Sequence, residues 1–198
     1  MNLLERNDFQ PGDALLVTDV QNDFLSGGSL AVQGGDEIVP VLNHYLEIFT
    51  ARNLPVFATR DWHPEDHCSF RAQGGIWPQH CVAGTRGAEF AAALQLPPST
   101  AIISKATSPE HDAYSSFLRT DMDRRLRDAG IRRIFIGGLT TDYCVLNTTR
   151  DALQLGYQVF VLVDAIRAVD VRPGDGERAV AEMIALGAQC ITLQWLAG

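Results

Sequence analysis

No apolar run in this 198-residue chain is long enough to cross a bilayer as a helix. Basic charge is also short: 16 Lys+Arg face 24 Asp+Glu, for a net charge of −8. That balance disfavours a general nucleic-acid or anionic-membrane binder, which would carry a basic face. The opening residues Met1 to Arg6 lack an apolar signal region and a small-residue cleavage site, so a cytoplasmic location is expected. Cysteine is scarce, with Cys68, Cys81, Cys144 and Cys190 showing no CxxC spacing. Free thiols are therefore expected rather than a disulfide framework. Repeats, low-complexity tracts and linker-like segments are absent, and residues 1–198 read as one domain. A chain this long buries a sizeable core without staples.

What is present is an alternation of apolar runs and helical patterns. Strands are expected at Ala14–Thr18, Pro55–Thr59, Ala101–Ser104, Arg133–Gly137, Val159–Val163 and Cys190–Leu193. These runs are apolar throughout, which suits a parallel sheet covered on both faces. Helical periodicity fills Asp36–Arg52, Thr120–Ala129, Asp142–Leu155 and Gly176–Leu186, and Gly130, Gly156 and Gly187 stand where helices stop. The sum is a doubly wound α/β domain, a three-layer α/β/α arrangement on a six-stranded parallel sheet. Between Arg60 and Leu96 no period is clear, and long irregular loops in compact domains are usually functional.

Ligands of such sheets bind beyond the carboxyl ends of the strands. Asp19, Asp61, Lys105 and the Gly138–Cys144 segment all fall at such ends, so they are expected to converge. Cys144 stands in the first turn of an expected helix, where the positive end of the helix dipole favours a thiolate and free N–H groups face a developing oxyanion. Asp19 ends a buried strand, where desolvation would raise its pKa and make it a usable base. Lys105 would stabilise both anions. Asp61, His63 and His67, with His80 further on, offer a mixed carboxylate and imidazole set that suits Zn, Fe or Mn. Phe24, Trp77 and Tyr114 lie in loops and could wall a flat aromatic substrate.

Seven segments then add up to a resemblance that covers about residues 11 to 195. They are Thr18-Asp19-Val20-Gln21-Asn22-Asp23-Phe24, Gly27-Gly28-Ser29-Leu30, Thr59-Arg60-Asp61-Trp62-His63-Pro64, Trp77-Pro78-Gln79-His80-Cys81, Lys105, Asp112 to Phe117, and Gly138 to Val145. With these the chain resembles the nicotinamidase/pyrazinamidase branch of the isochorismatase-like cysteine hydrolases. The resemblance implies that fold, and an amidohydrolase that releases ammonia from nicotinamide or pyrazinamide through a cysteine thioester. It implies a triad of Asp19, Lys105 and Cys144, an oxyanion hole at the N–H groups of Thr140 and Cys144, and a cis peptide at Leu139–Thr140. It further implies one divalent metal, zinc ahead of iron or manganese, on Asp61, His63, His67 and His80, which accepts the pyridine nitrogen. Phe24, Leu30, Trp77 and Tyr114 would line the pocket. Two positions depart from the family pattern near the reaction centre: Ala106, where glycine often follows the lysine, and Thr140, where a small alanine is common.

The implied partner is a small carboxamide, with no nucleic acid and no membrane. An uncovered sheet edge leaves homo-oligomer formation open. The alternatives are a related cysteine hydrolase acting on another small carboxamide, a metal-water hydrolase in which Cys144 is incidental, and a non-catalytic binding module on the same scaffold.

Overall fold

The computed structural model describes residues 9–197; the leader reading of Met1 to Arg6 lies outside them. Six parallel strands form one sheet in the order β3-β2-β1-β4-β5-β6, from β1 (Asp13–Thr18), β2 (Val56–Asp61), β3 (Ala101–Lys105), β4 (Arg133–Leu139), β5 (Gln158–Arg167) and β6 (Gln189–Ile191). Alternate residues of each strand point to opposite faces. Leu15, Val17, Phe135 and Phe160 meet α1 (Ile38–Ala51) and the partly buried Trp195 of α5 (Leu193–Ala197) on one face. Leu16, Ile134, Ile136 and Val161 meet α2 (Met122–Asp128), α3 (Leu146–Gln154) and α4 (Asp175–Ala185) on the other. These are the three layers read from the apolar runs.

The strand order reverses between β1 and β4, which is the switch point where open parallel sheets bind ligands. There Thr18 is paired with Thr59 on one side and Gly138 on the other. A side chain at Gly138 would lie 2.1 Å from the Thr18 carbonyl oxygen, and its φ of 124° suits glycine, so β1 and β4 can approach this closely only there.

Three expectations need correction. Leu193 is not strand: it opens α5, and its N–H donates to the Asp164 carboxylate at 2.8 Å. Strand β5 runs past the apolar stretch to Arg167, because Asp164 also accepts the Tyr45 hydroxyl at 2.9 Å and so is accommodated inside the fold. The expected helix from Asp142 begins as a π-helical turn over Thr141–Val145 before α3. The expected irregular stretch opens with the last two residues of β2, Arg60 and Asp61; from 62 to 96 it holds only 3-10 turns at Arg71–Gln73 and Arg86–Ala88 and isolated bridges such as His63 with Val82.

Candidate active site

Three strand ends supply the charged centre. Asp19 follows β1 with a φ of 50°, a strained conformation for a carboxylate side chain, and accepts the Thr59 hydroxyl at 2.7 Å on Oδ1. Asp61 closes β2 directly opposite Lys105, which closes β3. Lys105 is 1 % exposed. Its Nζ lies 2.5 Å from Asp61 Oδ1, 3.0 Å from Asp19 Oδ2, 3.1 Å from the Ala113 carbonyl and 3.5 Å from Cys144 Sγ. The Asp19 contact is an ion pair to the same oxygen, Oδ2, that Thr59 does not reach. An Asp19 oxygen, an Asp61 oxygen and Cys144 Sγ all lie within 4.8 Å of one another.

The segment after β4 places the nucleophile candidate. Leu139–Thr140 is a cis peptide, as the resemblance implies, and the π turn that follows carries Cys144 with 4 % exposure. Ala106 has a φ of 51°, which explains why glycine would be the easy residue after the lysine; alanine there carries a left-handed strain. Thr140 is buried, and its hydroxyl has no hydrogen-bond partner among the described residues.

The charges settle unequally. Burial raises the Asp19 carboxyl to about 6, against the pull of Lys105 and with the Asp61 charge adding to the rise. Burial also acts on Asp61, but Lys105 and His63 outweigh it and hold that carboxyl below its usual range. Burial alone would lower Lys105; the two carboxylates hold it well above the normal lysine value. The expectation of a dipole-favoured thiolate fails here. Burial, joined by Asp19 and Asp61, pushes the Cys144 thiol well up despite Lys105. A partial helix charge cannot offset a fully buried sulfur beside two carboxylates. Burial thus favours a thiol at Cys144, with the Asp19 carboxylate within 4.8 Å of it.

The second wall holds the imidazoles. Donor atoms of Asp61, His63 and His80 lie within 4.8 Å of one another, and all three residues are buried. His63 Nδ1 is 3.2 Å from the Ala106 carbonyl and His80 Nδ1 is 2.8 Å from the Pro78 carbonyl. Donation from those Nδ1–H groups leaves both Nε2 lone pairs for a ligand, the usual support of metal-binding histidines. Burial lowers the His63 pKa to about 4, so that ring is neutral. A carboxylate with two imidazoles fits a divalent metal. His67 stands apart from this trio. Its ring stacks on His63 at 4.2 Å between centroids, but Nδ1 meets Ser69 Oγ at 2.8 Å and Nε2 meets the His111 carbonyl at 3.2 Å.

Cys144, Thr140, Asp61, His63 and His80 line one cavity. Phe24, Leu30, Trp77 and Tyr114 line it. Trp77 Nε1 donates to the Tyr114 hydroxyl at 3.0 Å, and its ring meets Tyr143 edge-on at 4.9 Å. Sequence reasoning missed Tyr143, Val169, Ser69 and Asp112 as wall residues. Tyr143 was discoverable as the neighbour of Cys144, whereas nothing in the sequence marks Val169. Two supports were also missed. Buried Gln21 donates to the Asp61 carbonyl at 2.8 Å and accepts the Asp61 N–H at 2.8 Å, fixing the end of β2. Asp23 accepts the Cys81 N–H at 2.7 Å and so anchors the loop that carries His80.

Comparison with known proteins bears on the family and the fold. The Isochorismatase domain family model matches residues 13–194. The nicotinamidase of Escherichia coli is 40% identical over 204 residues, covering 92% of this chain and 96% of its own length. The crystal structure of the pyrazinamidase of Pyrococcus horikoshii in complex with zinc superposes with a TM-score of 0.88 at 47% identity, over 92% of this chain and 99% of that one. A structure from L. infantum in complex with nicotinate gives a TM-score of 0.87 at 35% identity, over 93% of this chain and 94% of that one. The matched residues run from the first strand to the last helix of the sheet described above, and on that ground the chain belongs to the isochorismatase domain family.

Proposed function

We propose that this protein is an amidohydrolase that converts nicotinamide, and pyrazinamide with it, to the free acid and ammonia. The observation that carries the reading is that Cys144, with Lys105 and Asp19 behind it, opens onto the same aromatic-lined cavity as Asp61, His63 and His80. The names of the E. coli and P. horikoshii relatives support it.

The Asp19 carboxylate takes the thiol proton as Cys144 Sγ attacks the carboxamide carbon. The oxyanion lies on the N–H groups of Thr140 and Cys144, where preorganised donors stabilise the tetrahedral state. Collapse breaks the C–N bond; Asp19 returns the proton, and ammonia leaves with a thioester behind. Water then attacks the thioester, giving a proton to Asp19 and restoring the thiol as the acid departs. Lys105 holds Asp19 and Asp61 in place throughout, and its charge keeps the site from becoming doubly anionic. A divalent ion, zinc ahead of iron or manganese, would be held by Asp61, His63 and His80. When bound it supplies a Lewis acid for the pyridine nitrogen, which orients and polarises the ring. His67 joins that set in this reading, on condition that its ring gives up the His111 carbonyl. Trp77, Tyr114, Phe24 and Leu30 clamp the ring.

We also place the chain as one hydrolase domain that works in the cytoplasm on a small molecule, without nucleic acid; among the described residues no helix is long and apolar enough to cross a membrane. The test is ammonia release from nicotinamide and from pyrazinamide by purified, zinc-loaded protein. One ammonia per acid formed is the expected result. Folded, zinc-loaded protein that releases none from either amide would overturn the proposal.

A further inference from the structure

Asp142 lies in the same π turn as Cys144 yet points away from the reaction. Its Oδ1 accepts the Val169 N–H at 3.0 Å and its Oδ2 accepts the Asp170 N–H at 2.9 Å. Those two N–H groups belong to the segment that leaves β5 for α4. Asp170 has a φ of 53°, and its own Oδ1 accepts the Gly176 N–H at 2.8 Å at the start of α4. Val169 packs on the core cluster that holds Phe24 and lines the cavity beside it. The turn that carries Cys144 therefore also holds the cavity-lining Val169 segment through one bidentate carboxylate.

We infer that Asp142 is a positioning residue that fixes the Val169 wall relative to Cys144 and thereby sets which carboxamides fit the pocket. The inference deepens the proposed function and rests on it. Two consecutive N–H groups accepted by the two oxygens of one carboxylate make a stiff link, because neither can move without breaking a bond that the same side chain holds. A flat ring fits only while that wall stays close; a released wall admits bulkier amides and holds the ring less well.

The test compares wild type with Asp142→Asn, Val169→Gly and the double variant. Asparagine keeps the size of the side chain but turns an NH2 group toward one of the two N–H donors. For nicotinamide, Asp142→Asn is expected to raise KM about tenfold while kcat changes less than about threefold. The double variant should match Val169→Gly, because residues acting through one contact are not additive. Additive losses, or a fall in kcat without a change in KM, would overturn the inference. A second readout does not depend on turnover: the rate at which N-ethylmaleimide labels Cys144, read peptide by peptide by mass spectrometry. It should rise several-fold in each single variant and no further in the double; equal rates in wild type and Asp142→Asn would refute the latch. If wild type releases no ammonia, the proposed function fails, while the labelling rates still decide the latch.

Discussion

Each end of the sheet buries an aspartate against a cation, and the two ends behave differently. At the amino end Asp13 meets Arg133 through two contacts, 2.5 Å and 2.6 Å, and its Oδ2 also accepts the Gln10 N–H at 2.8 Å. Both oxygens of Asp13 meet the Arg133 guanidinium in a fork geometry, a charge-assisted pairing. At the carboxyl end Lys105 is shared by Asp19 and Asp61, with the Cys144 thiol also against it. One cation for two carboxylates leaves the group with a proton to place. Lys105, in the closer contact, holds Asp61 below its usual range, whereas burial raises Asp19; in the proposed mechanism Asp19 is therefore the proton carrier. In that reading the forked pair serves the fold and the shared lysine serves the chemistry.

The sharpest way to break this comparison is to neutralise one aspartate at each end. Asp19→Asn should lower kcat for amide hydrolysis by about a thousandfold or more, the range of a general base acting with a nucleophile, with the fold intact by circular dichroism. Arg133→Ala should do the reverse. Leaving Asp13 buried without its partner costs about 3 kcal/mol in urea unfolding, while kcat per folded molecule is retained. Equal effects of the two substitutions on kcat would erase the distinction.

His63→Ala separates the two walls of the carboxyl end. Bound metal measured by mass spectrometry should fall about 10–100-fold in affinity, with KM raised more than kcat is lowered. Unchanged metal content would remove His63 from the ligand set. The pH profile sharpens the Asp19 assignment. Asp19 must be ionised to accept the thiol proton, and burial has moved its carboxyl up to about 6. kcat/KM should therefore climb about tenfold per unit as pH rises toward 6 and level off above it. A profile still flat down to pH 4.5 would contradict that role. The smallest expected effect is at Ala106. Its φ of 51° favours glycine, but glycine also costs chain entropy, so Ala106→Gly should shift stability by less than about 1 kcal/mol.

The parts of this account that were legible in the sequence are those fixed by short-range pattern. Apolar runs located the strands, and the rule that ligands gather at strand ends brought Asp19, Asp61, Lys105 and Cys144 to one place. What stayed hidden depends on partners remote in sequence. Leu193 reads as strand until Asp164 captures its N–H, and Val169 looks like any loop valine until Asp142 ties it to the cavity. His67 shares its spacing with the other histidines, but Ser69 and the His111 carbonyl decide where its nitrogens point. The protonation of Cys144 was misjudged for the same reason: the helix start is visible in sequence, while the depth of burial and the second carboxylate are not.

The most direct test of the division between the two walls is to assay ammonia release from nicotinamide and bound metal together in Cys144→Ala. The account expects no measurable release and the metal content of the wild type, because the thiol does the bond-breaking and Asp61, His63 and His80 hold the ion. Release that persists would make the reaction a metal-water hydrolysis with Cys144 a bystander, and metal lost along with the thiol would show that the two walls are not separate.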